Sequence, residues 1–199
     1  MAHLDVGDLD KDPMVRFAAW FEAALAQLAQ PEAAALATAD ASGAPSVRMV
    51  LLKACDERGF TFFTNLASRK GMELKANPRA ALALWWPPLG RQVRAEGRVE
   101  VLEPTESDAY FATRPRRSQL AAHASAQSSV IFGREALDIK MAELDMAFQG
   151  RAVDRPAHWG GLRLVPEVVE FWEHREDRLH DRLCYRLERG QWRVVRLAP

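Results

Sequence analysis

Gln92 to Leu102 reads QVRAEGRVEVL, with Val93, Ala95, Gly97, Val99 and Val101 alternating with Gln92, Arg94, Glu96, Arg98 and Glu100. Side chains on a strand point alternately to opposite faces, so the stretch predicts a strand with an apolar inner face and a charged outer one. The residues before it extend the pattern. Ala33 to Ala39, a turn through Asp40, Ala41, Ser42 and Gly43, and Val47 to Lys53 read as a hairpin. A turn at Asp56 to Gly59 leads into Phe60 to Thr64. Ala80 to Trp86 reads as a buried strand stopped by Pro87 and Pro88. Five strands with short connections and one intervening helix predict a mainly β antiparallel barrel or sandwich rather than an alternating parallel sheet.

Helices flank this centre. Asp12 is an N-cap ahead of Pro13, whose missing N–H costs nothing there, and Phe17, Trp20, Phe21, Ala24, Leu25 and Leu28 follow at helical spacing to about Ala29. Thr105 with Asp108 resembles a capping box opening a helix that Pro115 ends. Leu137, Met141, Leu144 and Phe148 mark a packing helix that stops at Gly150. Strand-like runs then cover Leu162 to Val165, Val168 to Glu173, Arg178 to Leu187 and Trp192 to Leu197.

The 199 residues suit one domain over 13–199 behind a short tail at 1–12. Lysine plus arginine equals aspartate plus glutamate at 27 each, so the overall field favours neither nucleic acid nor a membrane surface, and any basic site is local. Cys55 and Cys184 have no disulfide-scaffold or metal-site spacing. The first 13 residues lack the basic and apolar regions of a secretion signal, and no apolar run approaches the ~20 residues of a membrane span. The expectation is a cytoplasmic protein.

Three local features carry chemistry. Ser68 caps a short helix whose first turn holds Arg69 and Lys70, at the end of the helix dipole where cations are disfavoured. Either both side chains extend into water, or they converge with free backbone N–H groups on an anion. RPRRSQ, Arg114 to Gln119, is short for a nucleic-acid patch; with Tyr110 four residues before Arg114, it supplies a phenol, a guanidinium and the Ser118 hydroxyl for one phosphate. Glu170 to Arg182 reads EFWEHREDRLHDR, and as a strand it sets Arg178, His180 and Arg182 on one side with Asp181 on the other. That row is either a wet sheet edge or the wall of a site for something negative.

Taken in order, RMVLLK at Arg48–Lys53, FFTNLASRKG at Phe62–Gly71, RQVRAEG at Arg91–Gly97, YFATRPRRSQ at Tyr110–Gln119, QSS at Gln127–Ser129 and EFW with RLHDR at Glu170–Arg182 resemble the pyridoxine (pyridoxamine) 5′-phosphate oxidases. One such block is unspecific; six in this order are not. The resemblance implies an FMN-binding split β-barrel, a homodimer with two FMN sites at the subunit interface. It implies FMN contacts from Arg48, Val50, Leu51, Lys53, Phe63, Thr64, Arg69, Lys70, Gln92, Gln127, Ser128, Trp172 and Arg182, with the FMN phosphate near Arg69 and Lys70. The substrate phosphate would be held by Lys53, Tyr110, Arg114 and Ser118. Arg178, Leu179 and His180 would face the pyridine ring, Arg178 and His180 as orienting and proton-handling catalytic groups.

The implied reaction is oxidation of pyridoxamine or pyridoxine 5′-phosphate by dioxygen to pyridoxal 5′-phosphate with release of hydrogen peroxide. Phe63, His123 and Glu173 depart from commoner Tyr, Trp and Gln or Gly. The leader Arg and Tyr that close over substrate in many members have no counterpart beside His3 and Asp5. Two alternatives accompany this reading: a related FMN oxidase of a phenazine-type ring, and a flavin- or pyridoxal-phosphate-binding protein without turnover.

Overall fold

The computed structural model describes residues 10–199; most of the expected tail, including His3 and Asp5, lies outside the described residues. Eight antiparallel strands form one sheet: β1 (Ala33–Ala39), β2 (Pro45–Asp56), β3 (Gly59–Asn65), β4 (Arg79–Trp86), β5 (Arg91–Val101), β6 (Trp159–Glu173), β7 (Asp181–Glu188) and β8 (Gln191–Arg196). Their order is β3-β2-β1-β4-β5-β6-β7-β8, and a further β3–β6 pairing closes the first six into a barrel. Around it lie α1 (Pro13–Leu25), α2 (Arg69–Ala76), α3 (Pro104–Thr113), α4 (Arg116–Ala124) and α5 (Glu135–Ala147). The expected split barrel is present.

The alternation in β5 holds from Val93 to Val99, which face the core, but Val101, though still paired with Leu162 of β6, is exposed. The two expected runs at 162–165 and 168–173 are one 15-residue strand, β6. On one edge β6 follows β5 throughout. On the other it pairs first with β3, over Trp159–Leu164, and then with β7, over Val168–Glu173. Pro166 sits at the change of partner, where a missing N–H leaves no ladder donor unpaired. A bulge between Glu96 and Gly97 absorbs the shift in register. Gly97 is required at this place: a β-carbon there would overlap the Val165 carbonyl.

Asp12 caps α1 by accepting from the Met14 N–H at 2.8 Å. The helix ends at Leu25, short of Ala29, and Leu28 beyond it still packs against the core. It closes one end of the core: Phe17 meets Phe60 edge-on with centroids 4.9 Å apart, and Trp20 meets Phe171 at 5.2 Å. A second cluster of Phe111, Leu120, Val153 and Trp159 fastens α3 and α4, with Met141, Leu144 and Phe148 of the α5 region against it. The capping box at Thr105 and Asp108 does not form. Pro104 opens α3 after Glu103, whose side chain makes no cap bond, and Asp108 instead pairs with Arg155 at 2.6 Å.

Helix α2 is anchored through one buried carboxylate. Glu73 accepts from Thr38 (2.5 Å) and Ser46 (2.6 Å) on β1 and β2, from Arg48 (3.1 Å) on β2 and from Arg69 (2.8 Å) one helical turn earlier. Burial opposes the charge, but these bonds outweigh it and hold the carboxyl down at about 2, from 4.5. A depressed carboxylate stabilises the fold above its unfolded pKa and loses that contribution as pH falls through its folded one. Glu73 should therefore cost the wild-type protein stability between pH 4.5 and about 2. Glu73→Gln should reduce that acid dependence and lower stability at pH 7 by about 2 kcal/mol, below a fully buried pair because Arg69 is exposed; urea titration across pH measures both. Gly97→Ala should cost about 1–3 kcal/mol by overpacking the bulge, read in the same titration.

Candidate active site

Functional side chains gather at opposite ends of β6. At the first end a cleft of about 610 Å³ is lined by Leu51, Lys53, Phe63, Thr64, Tyr110, Arg114, Ser118, Gln127 and Trp159, among others. Leu51 and Lys53 reach it because they occupy outward positions of β2, whereas Arg48, Val50 and Leu52 alternate onto the other face. Tyr110 comes from the last turn of α3. Arg114 is the extended residue that caps that helix, and Ser118 lies in the first turn of α4. Tyr110 and Arg114 thus share the cleft although the helix ends before Arg114.

Aromatic rings orient this cluster. Phe63 stacks on Tyr110 with centroids 4.0 Å apart and on Trp159 at 5.3 Å, and the Arg114 guanidinium lies 4.7 Å over Trp159. The buried Nη1 of Arg114 has no hydrogen-bond partner among the described residues. Burial pushes Arg114 down and raises the Tyr110 phenol, which stays a neutral donor. An unpartnered guanidinium N–H beside a phenol, a hydroxyl and the Lys53 amine is a donor set for a phosphate or carboxylate.

Lys70 lies at the edge of the same cleft. Its buried Nζ donates to Gln127 Oε1 at 2.7 Å and to Thr64 Oγ1 at 3.1 Å, so three of the expected cofactor residues meet here. No carboxylate among the described residues forms an ion pair with it. Burial, then the nearby Arg48 charge, lower its pKa, with Glu73 opposing. An anion would remove that penalty. The α2 N terminus, with Lys70 and with Arg48 and Arg69 tethered to Glu73, fits the phosphomonoester of FMN. The expected first-turn pair nevertheless divides: Arg69 is exposed and compensated by Glu73, and only Lys70 turns inward. Ser128 is exposed in the loop after Gln127, in the left-handed backbone region at φ 77°.

At the far end of β6, Gln92, Trp172 and Arg182 stand directly opposite one another on β5, β6 and β7. Arg182 is held by both Glu170 oxygens, at 2.8 and 3.1 Å. The expectation that Arg178, His180 and Arg182 share one strand face is corrected. β7 begins only at Asp181, and Arg178 sits in a turn at φ 63°, so strand alternation does not reach it. The turn is fixed by Arg175, which binds Asp181. His180 still faces the row, its ring 4.5 Å from Trp172. Its Nδ1 accepts the Arg175 backbone N–H at 3.1 Å, so neutral His180 carries its proton on Nε2 and presents a donor there. Leu179 is exposed.

The two groups do not meet within one chain: β6 spans roughly 40 Å of extended strand between them. Trp159 and Glu73 were missed in the sequence. The signal for Glu73 was its place four residues after Arg69; Trp159 looked like the end of a connector.

Comparison with known proteins gives this arrangement a family. A family model described as pyridoxamine 5′-phosphate oxidase matches residues 21–147, and one described as the pyridoxine 5′-phosphate oxidase C-terminal dimerisation region matches 159–199. A pyridoxine/pyridoxamine 5′-phosphate oxidase of Cupriavidus necator is 54% identical, covering 100% of this chain and 94% of its own length. One from Rubrobacter xylanophilus is 56% identical, covering 96% and 88%. Among solved structures, PhzG from Burkholderia lata 383, in complex with tetrahydrophenazine-1-carboxylic acid, superposes with a TM-score of 0.94 at 34% identity, covering 100% of this chain and 98% of that one. A related FMN-binding protein from Nostoc punctiforme shares the fold, at TM-score 0.76 and 17% identity over 96% and 100%. With both family models matched in order and relatives more than half identical along nearly the whole chain, the protein belongs to the pyridoxamine 5′-phosphate oxidase family.

Proposed function

We propose that the protein oxidises pyridoxamine 5′-phosphate and pyridoxine 5′-phosphate to pyridoxal 5′-phosphate, using FMN and dioxygen and releasing hydrogen peroxide. The observation that carries this reading is the unpartnered, buried Arg114 N–H in a cleft that also holds Tyr110, Ser118 and Lys53. Together these four side chains clamp the substrate phosphate and leave its ring to project from the cleft.

FMN, when bound, supplies the two-electron chemistry at the substrate's C4′ carbon. The chain supplies position and charge. Lys70, Arg48 and the α2 N terminus hold the cofactor phosphate, Thr64 and Gln127 fix the Lys70 ammonium, and Gln92, Trp172 and Arg182 border the ring. Arg178 orients the substrate ring. His180 does so as an Nε2–H donor; to accept the substrate's proton it must first give up its bond from Arg175.

The separation of the two groups supports a site shared between two copies, the cleft of one facing the Trp172 end of its partner. The match to a C-terminal dimerisation region points to a homodimer. Val47, Met49 and Leu51 form an exposed apolar stripe on β2 beside the cleft, suited to such a contact. No helix among the described residues is long and apolar enough to cross a membrane; a cytoplasmic setting agrees with the reaction proposed.

The likeness to PhzG favours a second reading, in which Arg114 takes the carboxylate of a phenazine-type ring. Purified protein mixed under air with pyridoxamine 5′-phosphate or with tetrahydrophenazine-1-carboxylic acid separates the two. A flavin absorption spectrum, with peroxide and pyridoxal phosphate formed from the first compound, is expected; turnover of the second alone overturns the reading. A yellow protein that turns over neither compound is a binding protein. Arg114→Ala should weaken substrate binding by roughly 1.5–3 kcal/mol, one charge-assisted contact, with FMN affinity unchanged by titration. Arg178→Ala and His180→Ala should each slow single-turnover flavin reduction, and wild-type rates would remove their catalytic role.

A further inference from the structure

The row opposite Trp172 has a member that none of the family motifs above includes. Trp85 on β4 is the direct cross-strand neighbour of Gln92, which is itself opposite Trp172, so Trp85, Gln92, Trp172 and Arg182 run in register across four strands. Directly opposed residues project from the same face of a sheet. Trp85 and Trp172 meet nearly edge to face, with centroids 5.7 Å apart and planes at 71°, and with Gln92 they line an open notch. Trp85 is 50% exposed, an unusual exposure for the largest apolar side chain. The neighbouring Trp86 is buried and donates to the Pro31 carbonyl at 3.0 Å. By contrast, neither indole N–H of the notch nor the Gln92 carboxamide has a hydrogen-bond partner among the described residues.

These groups make a corner of specific chemistry. One indole offers a flat face, the other an edge at near right angles, and a carboxamide between them offers one acceptor and two donors. A planar heteroaromatic ring with carbonyl and N–H groups on its rim matches all three, whereas an aliphatic chain leaves the amide unpaired. The strand ends one residue after Trp85, at the 3-10 turn Pro87–Leu89.

We propose that Trp85 is a further ring-binding residue, forming with Trp172 and Gln92 the corner that receives the isoalloxazine of FMN. This rests on the FMN reading above. Trp85 acts on the ring and not on the phosphate, so its contribution is the same for FMN and for riboflavin, which lacks the phosphate.

Full-length wild-type protein, Trp85→Ala and Trp85→Phe are titrated with FMN and with riboflavin by flavin fluorescence, and their masses in solution are measured by light scattering. Trp85→Ala should weaken both flavins by the same factor, about fivefold to tenfold for one lost aromatic contact. Trp85→Phe, which keeps a ring, should stay within about twofold, and neither variant should change in mass. Should Trp85→Ala fail to fold, Trp85→Leu keeps apolar bulk without the ring and is judged by the same criterion. Wild-type affinity in the alanine variant overturns the assignment. So does a loss confined to FMN, or one accompanied by dissociation into single chains, which would make Trp85 a subunit contact. If the wild-type protein takes up neither flavin, the FMN reading falls and this assignment falls with it; normal uptake by wild type with no change in the variant counts against Trp85 alone.

Discussion

A strand has two hydrogen-bonding edges, and β6 must serve three neighbours. It gives one edge wholly to β5 and divides the other, β3 taking Trp159–Leu164 and β7 taking Val168–Glu173. The division needs a place where no donor is left unpaired and where β5 can shift register. Pro166 and the Gly97 bulge supply it. Below that point the sheet closes through β3; above it the same sheet runs on as a ribbon of β7 and β8, whose Leu183 and Tyr185 stay in the shared core.

The position of the chemistry follows from that division. The closed end fastens Trp159 beside Phe63 and Tyr110, so the start of β6 becomes a wall of the cleft that holds Arg114. The ribbon end carries Trp172 between Gln92 and Arg182 and brings the His180 turn against it.

Charge is distributed to suit. The chain as a whole is neutral, yet each cationic candidate has its own balance. Arg48 and Arg69 are fixed by Glu73 and Arg182 by Glu170, while Lys70 and Arg114 have no carboxylate partner among the described residues. The paired arginines are held in fixed orientations by their carboxylates. The unpaired, buried cations are where an anion gains most, since burial already disfavours their charge.

Much of this was legible in the sequence, for a definable reason. Local rules acted undisturbed in β1, β3, α2 and, as far as Val99, β5, where alternation, turn residues and the Ser68 cap agree with the tertiary fold. The ordered motifs from Arg48 to Arg182 identified the family. What the sequence could not decide were matters of partner choice. A one-dimensional pattern showed β6 as two runs broken by Pro166, because hydrogen-bond partners lie elsewhere in the chain. It extended β7 back to Arg178, because a left-handed turn held by Arg175 and Asp181 has the same polar alternation as a strand. It paired Arg69 with Lys70, though only the fold brings Glu73 to the one and Thr64 and Gln127 to the other. Residue type determined which chemistry was available; cross-strand register, set by long-range pairing, decided which side chains meet.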